Sequence, residues 1–130
     1  TVADLIEQQE FILKVNTAIA DARGLAARME QILTKAGLKP PPAPGPGEDV
    51  GTVKYQHPAQ GVWARVVDAA PPYPKPMLIN QLQNILRMTN QADQKVGKDA
   101  YERVVDLEKE LAALKTEADK IAGTVTSPQR

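Results

Sequence analysis

The sequence contains no cysteine, which excludes disulfide stapling, thiolate catalysis and cysteine-based zinc sites. It has one histidine, His57, so neither a His-based triad nor a cluster of imidazole ligands can be assembled. Only one Phe and one Trp are present, and the core must therefore be aliphatic and alanine-rich, a composition suited to close helix packing. Neither sign of charge is in excess, with 16 basic and 16 acidic residues, and no long run of one sign occurs. The electrostatic footprint of a nucleic-acid or anionic-membrane binder is thus missing. No apolar run approaches the roughly 20 residues that span a bilayer, and the start lacks the basic-then-apolar pattern of a signal peptide. The expectation is a soluble chain. Because it opens on Thr1, it reads as a piece of a longer protein whose targeting segment could lie upstream, which leaves its compartment open.

What is present is helical periodicity. At 130 residues the chain has the length of one domain with one core. From Val2 to about Ala36, Leu5, Ile12, Ile19, Ala26 and Leu33 form one seven-spaced line and Val15, Ala22, Met29 and Ala36 an adjacent one. Ile6, Leu13, Ala20 and Ala27 widen this stripe to a face that predicts two partner helices. Thr1 and Asp4 supply a start signal, and Gly37 with Pro40 a stop. The following LKPPPAPGPG cannot continue a helix, because proline lacks the amide donor and its ring clashes with the preceding turn.

The expected architecture is all-α: an antiparallel three-helix bundle with a long proline-rich connection between helices 1 and 2. Residues 1–130 form a single helical domain, with helix 1 over about 2–36 and the proline-rich loop over about 37–75. Helix 2 covers about 76–96, helix 3 about 99–122, and 123–130 is a frayed tail. Pro76 suits the first position of helix 2, whose apolar positions are Leu78, Ile79, Leu82, Ile85, Leu86 and Met88. Asp99 and Glu102 have capping-box spacing at the start of helix 3. In that helix Ala100, Val104, Leu107, Leu111, Leu114, Ala118 and Ile121 keep three-four spacing. Helices 2 and 3 should form a hairpin against helix 1. Helix 1 should then overhang them, leaving an apolar end for Trp63 and the neighbouring valines to cover.

Candidate chemistry is sparse. His57 sits beside Pro58 with Glu48 and Asp49 as its nearest carboxylates in sequence, too few convergent partners for a catalytic or metal role. The pairs Asp106/Glu110 and Glu117/Asp119 lie among lysines, the pattern of a solvated helix face. GPGEDVG lacks the Gly-Lys-Ser/Thr ending of a phosphate cradle. KPPPAP, a possible polyproline ligand, is read more simply as a rigid linker. No catalytic, cofactor or metal residue is expected. Tyr55, Trp63 and Tyr73 are the candidate contact residues, since aromatics gathered in a loop can stack on a sugar or enter a partner's pocket. Sealing the end of helix 1 is the competing and simpler role for them.

The stretch PMLINQLQNILRMTNQADQKVGKDAYERVVDLEKELAAL, Pro76 to Leu114, resembles the C-terminal helical region of bacterial sortilin-like proteins, the BNR-repeat, glycosyl-hydrolase-like β-propellers. The likeness lies in the leucine-rich helix ending at Ala92-Asp93-Gln94, the turn through Gly97, and Asp99-Ala100-Tyr101 leading to Leu107 and Leu111. Thr1 to Leu33 is similar to the helix that follows the propeller and β-sandwich in that family, whereas Leu38 to Lys75 departs from its pattern. The resemblance implies an upstream propeller and an extracellular or periplasmic location. It also implies a non-catalytic accessory or interaction domain whose partner is a protein, either the parent propeller or another subunit. A ligand-binding module holding a glycan or peptide on the loop aromatics is the alternative.

Overall fold

The computed structural model describes residues 1–42, 53–67, 77–91 and 95–124. Four helices and no strand occur among these residues: α1 (Val2–Lys35), α2 (Pro58–Val66), α3 (Leu78–Gln91) and α4 (Lys98–Thr124). The all-α expectation matches. α2, however, occupies part of the segment read from sequence as a proline-rich loop.

The ends of α1 follow from local chemistry. Thr1 Oγ1 accepts from the Asp4 amide at 3.1 Å, satisfying one of the helix's orphan donors. At the other end Gly37 takes φ +75, which glycine adopts without strain. This turns the chain so that the Leu38 amide reaches the Leu33 carbonyl at 2.8 Å and the Gly37 amide the Thr34 carbonyl at 3.0 Å. Those two bonds make a Schellman stop. α4 begins one residue earlier than its spacing suggests: the amides of Ala100 and Tyr101 both reach the Gly97 carbonyl. Asp99 therefore lies in the first turn, where its charge complements the helix dipole. α3 is shorter than 76–96, and Pro76 and the tail beyond Thr124 lie outside the described residues.

The main core joins all four helices. In α4, Val104, Leu107, Leu111, Leu114, Ala118 and Ile121 are buried as their spacing predicts, and in α3 so are Leu78, Ile79, Leu82 and Ile85. Met88 is exposed. On α1 the phase differs from the expected one. Val15, Ile19, Ala22, Met29 and Leu33 are buried, but the stripe widens through Phe11, Ala18, Leu25 and Ile32. Ile6, Leu13, Ala20 and Ala27 are all exposed, and so is Leu5.

Cross-helix bonds give the levels. Lys14 pairs with Glu108, Asp21 with Lys115, and Arg28 with Asp119; the partners rise together, so α1 and α4 run in the same direction. Gln8 Nε2 donates to the Thr89 carbonyl at 2.8 Å, placing the end of α3 beside the first turns of α1. α3 has 14 residues and α1 has 34, spans of about 21 and 51 Å at 1.5 Å per residue. α3 cannot cover the far halves of α1 and α4, and α2 packs there.

Candidate functional site

The segment carrying Tyr55, His57 and Trp63 is built around α2. His57 takes an extended backbone, φ −141 and ψ 140, and caps the helix. Its Nδ1 accepts from the Ala59 amide at 3.0 Å, while its own amide donates to Gln60 Oε1 at 3.1 Å. This is a capping box with imidazole in the place usually held by Ser or Thr. Pro58 at the first helical position has no donor to lose. The lone histidine thus has a structural task, and its Nδ1 is engaged as an acceptor.

Gln60 is buried, and its Nε2 donates to the Lys39 carbonyl at 3.2 Å, tying the start of α2 to the chain leaving α1. Val62 and Val66 are fully buried in the main core. Trp63 is half-buried and packs against both core clusters. Its Nε1 donates to Glu30 Oε1 on α1 at 3.3 Å. Arg65 Nη2 donates to both carboxylate oxygens of Glu117 on α4 at 2.9 Å. The apolar end left by the short α3 is therefore covered by Trp63 and its valine neighbours, as expected, but by a helix.

Tyr55 is also half-buried and packs on the small cluster of Ala64 and Met77. Its ring lies close to Gly61, where an added Cβ would sit 3.4 Å from Tyr55 Cδ2. The structure thus places Trp63 on α2 and Tyr55 in the non-helical segment just before it, packed back against that helix. Tyr73, Glu48, Asp49 and the GPGEDVG stretch lie outside the described residues. Of the candidate carboxylate pairs, Asp106 and Glu110 are exposed, while Glu117 and Asp119 hold Arg65 and Arg28. Among the described residues no three His, Asp or Glu side chains converge on a metal-sized site.

A separate open feature is the α1/α4 flank. A groove of about 460 Å³ runs between the two helices, with Leu13, Thr17 and Ala18 on one wall and Leu111 and Ala112 on the other. The pairs Lys14–Glu108 and Asp21–Lys115 border it. Toward its upper end the Phe11 and Tyr101 rings meet edge to face, centroids 4.9 Å apart. The Tyr101 phenol is held above its ordinary pKa, first by desolvation, then by the charge of Glu7 and its hydrogen bond to Glu7, and last by Glu10. Sequence reading did not mark this flank, because it assigned Ile6, Leu13, Ala20 and Ala27 to the core. No helix among the described residues is long and apolar enough to cross a membrane. The chain matches no known protein family, no curated protein and no solved structure.

Proposed function

We propose that this chain is a non-catalytic helical accessory domain that works by protein contact. The observation that carries the reading is the outer face of α1. Ile6 and Leu13 are 54% and 67% exposed on a helix whose opposite side is fully packed. Two large aliphatic side chains held in water on one face of a helix, outside the core of the described residues, fit a contact surface. In this reading α1, α4 and a third rod form an up-down-up bundle. The third rod is α2 followed end to end by α3, both running against α1. The parent is an exported β-propeller protein of the sortilin-like kind, a reading supported by the likeness of Thr1–Leu33 and Pro76–Leu114 to that family's helical region. The reading frame upstream of the Thr1 codon tests this origin: a propeller encoded there supports it, and any other domain removes it.

The alternative, a module holding a glycan or peptide on Tyr55, Trp63 and Tyr73, is disfavoured by the engagement of Tyr55 and Trp63 in the packing of α2. Trp63 is the sole tryptophan, so its emission reports on this region alone. The accessory-domain reading expects emission that does not change on titration with oligosaccharides or proline-rich peptides. A saturable shift with either ligand would transfer the function to the aromatic module.

A further inference from the structure

We propose that the exposed face of α1 pairs with the same face of a second copy, the two α1 helices running antiparallel about a two-fold axis near residues 18 and 19. The proposal deepens the contact-domain reading and rests on it only in treating this face as an interface. Eight exposed positions define the face: residues 6, 10, 13, 17, 20, 24, 27 and 31. Their alternating four-three spacing is that of a coiled-coil seam. Leu13, Thr17, Ala20 and Gly24, at its middle, carry no charge, while the end positions include Glu10 and Gln31, the distribution of an apolar core with a polar rim.

The order of side-chain sizes is self-complementary only in the antiparallel sense. Positions that sum to 37 face each other across the axis, which puts Leu13 opposite Gly24 of the second copy and Thr17 opposite Ala20. The largest exposed side chain of the central stretch thus meets the residue with none, twice, and small residues lie at the crossing. Gly24 is otherwise hard to account for. Mid-helix glycine weakens a helix relative to alanine, and a Cβ at Gly24 would meet nothing within 4 Å in the monomer. Among the described residues the notch serves no contact inside the chain.

The flanking charges give the same orientation. On the side nearer α4 stand Glu7, Lys14, Asp21 and Arg28. Antiparallel pairing sets Lys14 beside Asp21 of the second copy and Arg28 beside Glu7, each twice, in the positions where flanking residues choose partner and direction. These groups already bond within the monomer to α4, so the new neighbours would extend those pairs into a network. The opposite flank brings Asn16 to Arg23 and Gln9 to Glu30, with no like charges. Parallel pairing would instead set Leu13 against Leu13, Gly24 against Gly24 and Arg23 near Arg28.

The test is self-association of the whole chain by sedimentation velocity over a rising concentration series. A dimer is expected, and Leu13→Glu is expected to be monomeric with an unchanged helical circular dichroism spectrum, because Leu13 lies outside the core. Register is read by disulfide trapping in a chain with no native cysteine. Leu13→Cys combined with Gly24→Cys should oxidise to a covalent dimer, and neither single variant should. Residues 13 and 24 of one helix are about 16 Å apart, beyond disulfide reach, so any such link joins two copies. A monomer at every concentration would overturn the proposal, as would a dimer indifferent to Leu13→Glu, or Leu13→Cys alone linking as readily as the pair. The Trp63 titration reads ligand binding at a fixed protein concentration and sedimentation reads self-association, so either proposal can fail without the other.

Discussion

Leu107 and Tyr101 lie less than two turns apart on α4, one buried and one on the surface, and they respond to different forces. Leu107 is 6% exposed within the main core. Removing its isobutyl group loses transfer energy and leaves a cavity, so Leu107→Ala should cost about 2–5 kcal/mol in denaturant unfolding; a loss within error would place Leu107 outside the cooperative core. Tyr101 answers to pH. Its folded-state pKa is raised above 10.0, so the unfolded chain releases this proton first as the solution becomes alkaline. Its contribution to stability is complete below the unfolded value and is lost as pH climbs from there through the folded one. NMR titration of the tyrosine ring carbons should find Tyr101 ionising above an unperturbed tyrosine. Glu7→Gln, which removes the negative charge beside it, should lower that midpoint.

At the scale of elements, α2 depends on its cap more than on its length. Nine residues are too few for an isolated helix, and the first amides need acceptors. His57→Ala should destabilise the chain by about 1 kcal/mol, the usual effect of losing an N-cap, with His57→Asn or His57→Ser retaining most of it. Equal losses in all three variants, followed by chemical denaturation, would mean that the imidazole acts by packing. α2 was also the least legible element. Histidine is not a common capping residue, and its partner is Gln60, so the signal that opens most helices was disguised among prolines and glycine. The boundaries of α1 and the buried line of α4 were plain because caps and three-four spacing agree there. On α1 the period was legible and the phase was not. Apolar residues fill several seven-spaced lines, 6/13/20/27 and 11/18/25/32 among them, and periodicity alone cannot choose which faces the core. The choice is made by the packing of α2, α3 and α4 together on α1, which exists only once the chain has folded. The candidate contact face was missed for the same reason.

For the molecule as a whole the question is whether α2 is a structural member or a detachable flap. Residues 53–67 are joined to α1 through a segment rich in proline and glycine and to α3 through one rich in proline, and such connections often mark a boundary between cooperative units. The packing argues the other way. Ala59, Val62 and Val66 belong to the same buried cluster as residues of α1, α3 and α4. Gln60, Trp63 and Arg65 bond to Lys39, Glu30 and Glu117 across three separate junctions. Undocking α2 would expose the far halves of α1 and α4, which α3 is too short to cover, so its release removes part of the support of every other helix. The chain should therefore unfold in one transition, as small single-core domains usually do. Trp63 emission follows α2 and far-ultraviolet circular dichroism is dominated by α1 and α4, so the two signals separate these possibilities without mutation. Coincident midpoints and slopes in urea are expected. Trp63 shifting at lower urea while the dichroism holds would make α2 a lid on an otherwise self-sufficient bundle. Val62→Ala decides the point independently: its destabilisation, about 1–2 kcal/mol for two methyl groups removed from a packed core, should appear equally in both signals when α2 and the bundle share one core.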